Sequence, residues 1–280
     1  MRIATLATTG AFKDLQTLLW TIRQWHPDAE VFLGTDAETA SKLSDKSVRT
    51  RTILDAYTGL TRKDMEAMSG RKYATMWHDF MMEKATVLEW AMEGTDEGVW
   101  FLDADICLLA PLPLPLAGLD ILLSPHMIRP VDERRFGEFN GGFMWIRNKA
   151  LLDVWRRATY GSRFYEQAAL EDVWAAVPEG RKARLPIQDN FGWWRFLQST
   201  EAPPIIQARL GFNRVAPGVG LQYDGAVLRS IHTHWEEASE FNQWIRGKLE
   251  FLARAHAPAK ALLGHLGKLH GWKQQKPPSS

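Results

Sequence analysis

Asp103 and Asp105 interrupt an almost wholly apolar run, VWFLDADICLL from Val99 to Leu109, where a buried strand would open into a cleft. Two like charges beside a dry strand raise their own pKa values unless a cation holds them ionised. A divalent metal does so, and hard carboxylate oxygens suit Mn2+ or Mg2+. Residues separated by one neighbour face the same way along a strand, so both carboxylates converge on one ion. The Asp103-Ala104-Asp105 triplet is therefore expected to be a D-x-D site for a metal and a diphosphate.

Two further kinds of residue fit the same chemistry. Trp77, Phe80, Met81, Lys84, Val87, Leu88 and Ala91 recur at helical spacing just before the acidic run, which places Lys84 on an apolar stripe. A lysine there needs a partner, and a diphosphate or one of the aspartates supplies it. The plainer alternative is a packed stem with its amine reaching water. Near the end of the chain, IHTHW holds His232 and His234, which face the same way if extended. An imidazole is a suitable further ligand and tilts the choice toward Mn2+, with two structural or surface histidines as the alternative.

The elements that must carry these groups read as alternating strands and helices. Arg2 to Ala7 is a strand closed by a Thr8-Thr9-Gly10 turn, Asp14 to His26 an amphipathic helix, and Glu30 to Leu33 a second strand followed by Gly34-Thr35-Asp36. Strand, helix, strand is the opening of a parallel α/β sheet, whose ligands collect at the carboxyl ends of the strands. The ends at Ala7 to Gly10, Thr35-Asp36 and Asp103/Asp105 would then share one crevice. Pro111, Pro113 and Pro115 make an extended connector, Asp120 to Ser124 a strand, Arg129 to Phe139 a charged loop, and Phe143 to Ile146 a buried strand entered through Gly141 and Gly142. Helices are expected over Leu151 to Tyr160, Tyr165 to Val177 and around Phe241 to Leu252.

Composition bounds the possibilities. The 280 residues are 45% hydrophobic and carry a net charge of +1, enough for a sizeable core and without the global field of a nucleic-acid binder. One cysteine, Cys107, permits no internal disulfide and fits a reducing cytoplasm. The N-terminus resembles a first strand more than a signal peptide, and no segment reaches the roughly 18 apolar residues of a membrane span. The tail from Ala257 spaces Leu262, Leu263, Leu266, Leu269 and Trp272 along one face, with Lys260, Lys268 and Lys273 elsewhere. A packed terminal helix is expected, the alternative being peripheral contact with an anionic membrane, and Lys276 to Ser280 should fray.

Taken in order, FLDADI, the Lys84 helix before it, FNGGF, YEQAAL, LPIQDN and IHTHW resemble the GT-A nucleotide-diphospho-sugar transferases, particularly the family 8 type that includes glycogenin and bacterial galactosyl and glucosyl transferases. The resemblance runs to about Ile245. It implies an α/β, Rossmann-like GT-A fold with a mixed, mainly parallel sheet flanked by helices. Residues 1–255 would form one glycosyltransferase domain, with a nucleotide-binding half at 1–127 and an acceptor half at 128–255, followed by a basic amphipathic tail at 256–280.

It also implies the activity: metal-dependent transfer of a hexose from a nucleotide sugar, a UDP sugar first, to a hydroxyl of a glycan, lipid or protein acceptor, with retention. His232 follows Ile231 as the family's ligand histidine follows its strand, with His234 second. Glu166 and Gln167 would approach the donor sugar, Glu166 replacing the family's Asp with a longer arm. Asn140 would bond a sugar hydroxyl, and Gly141 and Gly142 would admit substrate to the backbone or simply mark a bulge. Asp189 and Asn190 would complete the sugar pocket. Ala7, Thr8 and Thr9 would line the base and ribose, with Asp36 reaching one of them. Trp193, Trp194 and Trp235 would stack on acceptor sugars or serve as core.

Three rivals meet difficulties in the sequence. A haloacid dehalogenase-type phosphatase needs its D-x-D near the start of the domain and a later acid set. A sugar nucleotidyltransferase needs a glycine-rich N-terminal loop. An inactive carbohydrate-binding relative would not be expected to keep the acids, Lys84 and Glu166-Gln167 together.

Overall fold

A computed structural model describes residues 1–272; Lys273–Ser280 lie outside the described residues, and with them the terminus expected to fray. The strands are β1 Arg2–Ala7, β2 Glu30–Thr35, β3 Arg49–Thr52, β4 Val99–Leu102, β5 Ile106–Leu108, β6 Ile121–Pro125, β7 Phe139–Ile146, β8 Lys182–Arg184, β9 Phe191–Gly192, β10 Leu210–Phe212, β11 Leu221–Tyr223, β12 Ala226–Val227 and β13 Ser230–His232. Seven form the central sheet in the order β3-β2-β1-β4-β7-β6-β8. β1 to β4 run parallel to one another in that sheet, β7 is antiparallel to β4 and β6, and β8 is parallel to β6.

Both faces of this sheet are covered, which is why β1 and β4 read as near-continuous apolar runs. One face packs Ala4, Phe101, Ile121 and Met144 against helices Met76–Ala91, Ala150–Thr159 and Leu170–Ala176. The other packs Ile3, Val31, Trp100 and Trp145 against helix Phe12–Trp25. A third cluster holds Phe191, Ile231, Phe241 and Leu249 around the small sheet β5-β13-β9. Removing such side chains from water contributes about 1.5–3 kcal/mol each, against which the chain entropy of ordering must be set.

Several expectations change in detail. Gly34 and Thr35 belong to β2, and Asp36 caps helix Ala37–Lys42 through Thr39 N. The charged loop at 129–139 contains helix Pro130–Phe136, with proline in its first turn, Asp132 and Glu133 near its start and Arg134 and Arg135 at its end, an order that suits the helix dipole. The single helix expected over 165–177 is broken into Tyr165–Ala168 and Leu170–Ala176. Trp155 Nε1 donates to Glu166 O at 2.6 Å, taking the carbonyl that would bond Leu170 N in a continuous helix.

The 256–280 tail is not a free appendage in its described part. Helix Ala257–His270 buries Ala259, Leu262 and Leu266 in the third cluster, while Leu263 and Trp272 pack beside them. This uses the apolar face that membrane contact would need. Among the described residues no helix is long and apolar enough to cross a membrane.

Candidate metal and donor site

The acidic run is not one strand. β4 ends at Leu102, a turn closed by Ile106 N and Asp103 O at 3.0 Å carries both aspartates, and β5 continues in a different sheet. Asp103 N donates to Gly142 O of β7 at 2.8 Å, while Asp105 O accepts from Thr233 N at 3.0 Å, beside the histidines. The carboxylates therefore converge because the turn is pinned to two sheets, and not through strand alternation.

Lys84 comes in from helix Met76–Ala91, started by a Thr75 cap. Its buried ammonium lies 3.1 Å from Asp103 Oδ1, 3.0 Å from Glu166 Oε1 and 3.2 Å from Gly141 O. Of the partners expected for it, an aspartate is present. Burial alone would lower the Lys84 pKa, but Asp103 and Glu166 outweigh it and hold the amine charged. Burial and then Asp105 push the Asp103 carboxyl up, against the pull of Lys84.

His232, from β13, places Nε2 3.2 Å from Asp105 Oδ1. One ligand atom from each of Asp103, Asp105 and His232 lies within 4.8 Å of the others. His234 is half-exposed, with Nδ1 2.8 Å from Asp14 Oδ2 and Nε2 3.6 Å from Asp105 Oδ2. The two histidines are thus not equivalent, since Asp14 engages one ring of the pair and Asn190 the other.

The residues fit a divalent ion. Against Asp103, Asp105 and Glu166 the site offers one lysine, leaving negative charge that a divalent cation neutralises. Two carboxylates and an imidazole suit Mn2+ better than Mg2+. Space is kept open by Gly142, where a Cβ would lie 2.6 Å from His232 Cε1 and closer still to Asp103 Oδ2.

The glycines sit inside β7 as a bulge. Ser124 pairs with Asn140 and Leu123 with Met144, so Gly141, Gly142 and Phe143 have no partner on β6. Asn140 holds this bulge and is not free for a sugar: its Oδ1 accepts from Gly142 N and Asn190 Nδ2, both at 3.0 Å. Asn190 is fully buried between Asn140 and His232. Asp189 is also fully buried, 2.7 Å from Arg229, and neither 189 nor 190 lines an open sugar pocket.

At the carboxyl end of β1, where the resemblance puts the nucleotide, Ala7 is buried and Thr8 half-buried. Asp36 does not reach outward. It is fully buried and accepts from Thr39 N at 2.6 Å and Thr9 N at 2.9 Å, so it ties the ends of β1 and β2 together. Burial pushes its carboxyl up, but these bonds outweigh it and the net shift is downward. Ala104 is buried within the turn. Glu166 is buried on Lys84, and Gln167 Nε2 donates to Phe136 O at 2.9 Å.

Of the three tryptophans, Trp194 and Trp235 are core. Trp193 lines a cavity of about 400 Å³ with Arg62, Phe196, Leu197, Glu237 and Phe241, and His234 joins that cavity to Asp105. Sequence reasoning missed Asp14 and His126. Each had a faint signal: Asp14 opens an amphipathic helix on its buried side, and His126 directly follows the apolar strand β6, as Asp103 follows β4.

No family model and no curated protein matches the sequence. Solved structures do. The galactosyltransferase LgtC, in complex with donor and acceptor sugar analogues, superposes with a TM-score of 0.52 at 14% identity, covering 99% of this chain and 98% of its own. Mouse xyloside xylosyltransferase 1 in its apo form gives 0.50 at 13% identity, covering 83% of this chain and 97% of its own. The fold is the GT-A fold of nucleotide-diphospho-sugar transferases.

Proposed function

We propose that this chain is a metal-dependent glycosyltransferase that moves a hexose from a nucleotide-diphospho sugar, a UDP sugar in the first instance, to a hydroxyl of a glycan, lipid or protein acceptor. The observation that carries this reading is the meeting of Asp103, Asp105 and His232 beside the Lys84–Glu166 pair at the carboxyl edge of the parallel strands. Asp103, Asp105 and His232 would hold Mn2+, with Mg2+ second and His234 as a flanking group. A divalent ion there supplies the positive charge that stabilises a departing nucleoside diphosphate.

The chain's own residues do the rest. Lys84 pulls Asp103 toward its ionised form and fixes its direction. Gly141 and Gly142 lack the Cβ that would strike Glu166, Asp103 and the His232 ring, so these groups can close around the site. Glu166 is set by Lys84, and Gln167 beside it would offer its carbonyl to the donor sugar. Thr8 borders the nucleotide at the end of β1. The cavity beside His234 is the acceptor side, where the Trp193 ring offers a sugar-stacking face. Retention of configuration and a cytoplasmic location rest on the resemblance and the cysteine usage.

The test is thermal stabilisation by a panel of nucleotide sugars with and without Mn2+, followed by assay of the stabilising donors for hydrolysis. Manganese-dependent stabilisation by a nucleotide sugar, with slow release of the sugar, is expected. A protein indifferent to every donor and to Mn2+ would leave a GT-A scaffold without the activity.

A further inference from the structure

The hydrogen bonds behind His232 have a direction that can be read from two groups of unambiguous polarity. Gly142 N–H can only donate, and it meets Asn140 Oδ1 at 3.0 Å. That orients the Asn140 amide, so the Asn190 atom 3.0 Å from the same Oδ1 must be the donor Nδ2. Asn190 Oδ1 is left to face His232 Nδ1 at 3.1 Å and can only accept. His232 must therefore carry a proton on Nδ1, so Nε2, 3.2 Å from Asp105 Oδ1, is the one ring nitrogen left that can offer a lone pair to an ion.

The far end agrees independently. Asn140 Nδ2 donates to His126 Nε2 at 3.3 Å, and His126 Nδ1 then donates to the Gly137 carbonyl, an obligate acceptor, at 3.0 Å. His126, Asn140, Asn190 and His232 are all buried, so no water competes for these bonds. Burial also pushes the His126 ring down to about 4, in keeping with a neutral ring at this end.

We infer that Asn190 is a positioning residue which, oriented by Asn140 and Gly142, fixes the Nδ1–H tautomer of His232 and presents Nε2 to the divalent ion. This rests on the proposed metal site and adds which nitrogen binds and what selects it. Outer partners of this kind change metal affinity by roughly 10–100-fold.

The test uses the full chain, without nucleotide or activity. Wild type with heavy-nitrogen histidine is titrated with a spin-active cadmium isotope, and the through-bond cadmium–nitrogen coupling is assigned to His232 by its loss in His232→Gln. Coupling to Nε2 is expected. Coupling to Nδ1 would overturn the inference while leaving the metal site standing, and no cadmium or Mn2+ binding at all would overturn both. Asn190→Leu removes both amide contacts at similar volume and should lower Mn2+ affinity by about 10–100-fold, measured as free Mn2+ by electron paramagnetic resonance. Asn190→Asp keeps the acceptor for His232 Nδ1 and should keep Nε2 coordination. Equal loss in both variants would mean that Asn190 acts through packing alone and would overturn the inference, as would a folded Asn190→Leu with unchanged affinity. If the Leu variant does not fold, Asn190→Ala takes its place with the same expected loss, and unchanged Mn2+ affinity in that variant would overturn the inference.

Discussion

Gly142 and Asp103 are in such close approach that a Cβ on the glycine would overlap the Asp103 carboxylate, although Gly142 O also accepts from Asp103 N at 2.8 Å. One residue thus sets both the backbone and the space of the proposed metal site. Gly142→Ala must displace Asp103 or the His232 ring, and Mn2+ affinity should fall at least tenfold, the scale seen when a ligand loses its orientation. Gly141→Ala is a useful control, because its Cβ would lie 3.1 Å from Glu166 Oε1 and 3.6 Å from Lys84 Nζ, away from the ligands. Equal Mn2+ binding in wild type and Gly142→Ala would remove the steric argument.

Asp103→Ala and Asp105→Ala should each abolish transfer and manganese-dependent stabilisation by nucleotides while preserving cooperative unfolding. The fold survives because Lys84 keeps Glu166 at 3.0 Å when Asp103 is lost, so no buried lysine is left unpaired. Thermal melts with and without Mn2+ and UDP provide the measurement. Normal turnover by either variant would contradict the assignment.

Lys84→Met takes the ammonium from between two carboxylates and keeps the volume. Glu166 is then a buried charge without its partner, and breaking a buried pair costs about 3–5 kcal/mol. Urea unfolding should register that loss, and Mn2+ should recover part of it by neutralising Asp103. A variant as stable as wild type in metal-free buffer would mean that the lysine serves as packing.

The fold was legible because both sides of the central sheet are buried, so β1, β2, β4 and β7 announce themselves as apolar runs and the helices as stripes. The acids and Lys84 were legible for the opposite reason, being charges in apolar contexts that physical chemistry tolerates only with partners. What could not be read was which polar groups face one another. Asp36, Asn140, Asp189 and Asn190 all look like ligand contacts in sequence, yet their side chains bond a helix cap, a bulge, Arg229 and His232 respectively. The Thr39 and Gly142 contacts are local, but the bonds that bury these groups, to Thr9, Asn190, Arg229 and His232, cross 27 to 50 residues of chain, and nothing local encodes those pairings. The same limit hid the break between β4 and β5, since an apolar run has the same composition whether it stays in one sheet or crosses to another.

His126 supplies a pH test away from the proposed ligands. Burial pushes its pKa down to about 4, from an ordinary value near 6.5. Below about pH 6.5 the unfolded chain therefore binds a proton that the folded chain refuses, so this contribution is complete at neutral pH and is lost as the pH falls toward 4. The full difference across that range is about 3 kcal/mol. His126→Gln offers an amide to the same neighbours without titrating in this range. Its urea midpoint should change less between pH 7 and about pH 4.5 than that of wild type. Carboxylates and the half-buried His265 ring titrate in both proteins, so the comparison isolates His126. Parallel pH profiles for the two proteins would show that His126 is protonated alike in the folded and unfolded states, which the apolar, fully hydrogen-bonded setting behind Asn140 does not permit.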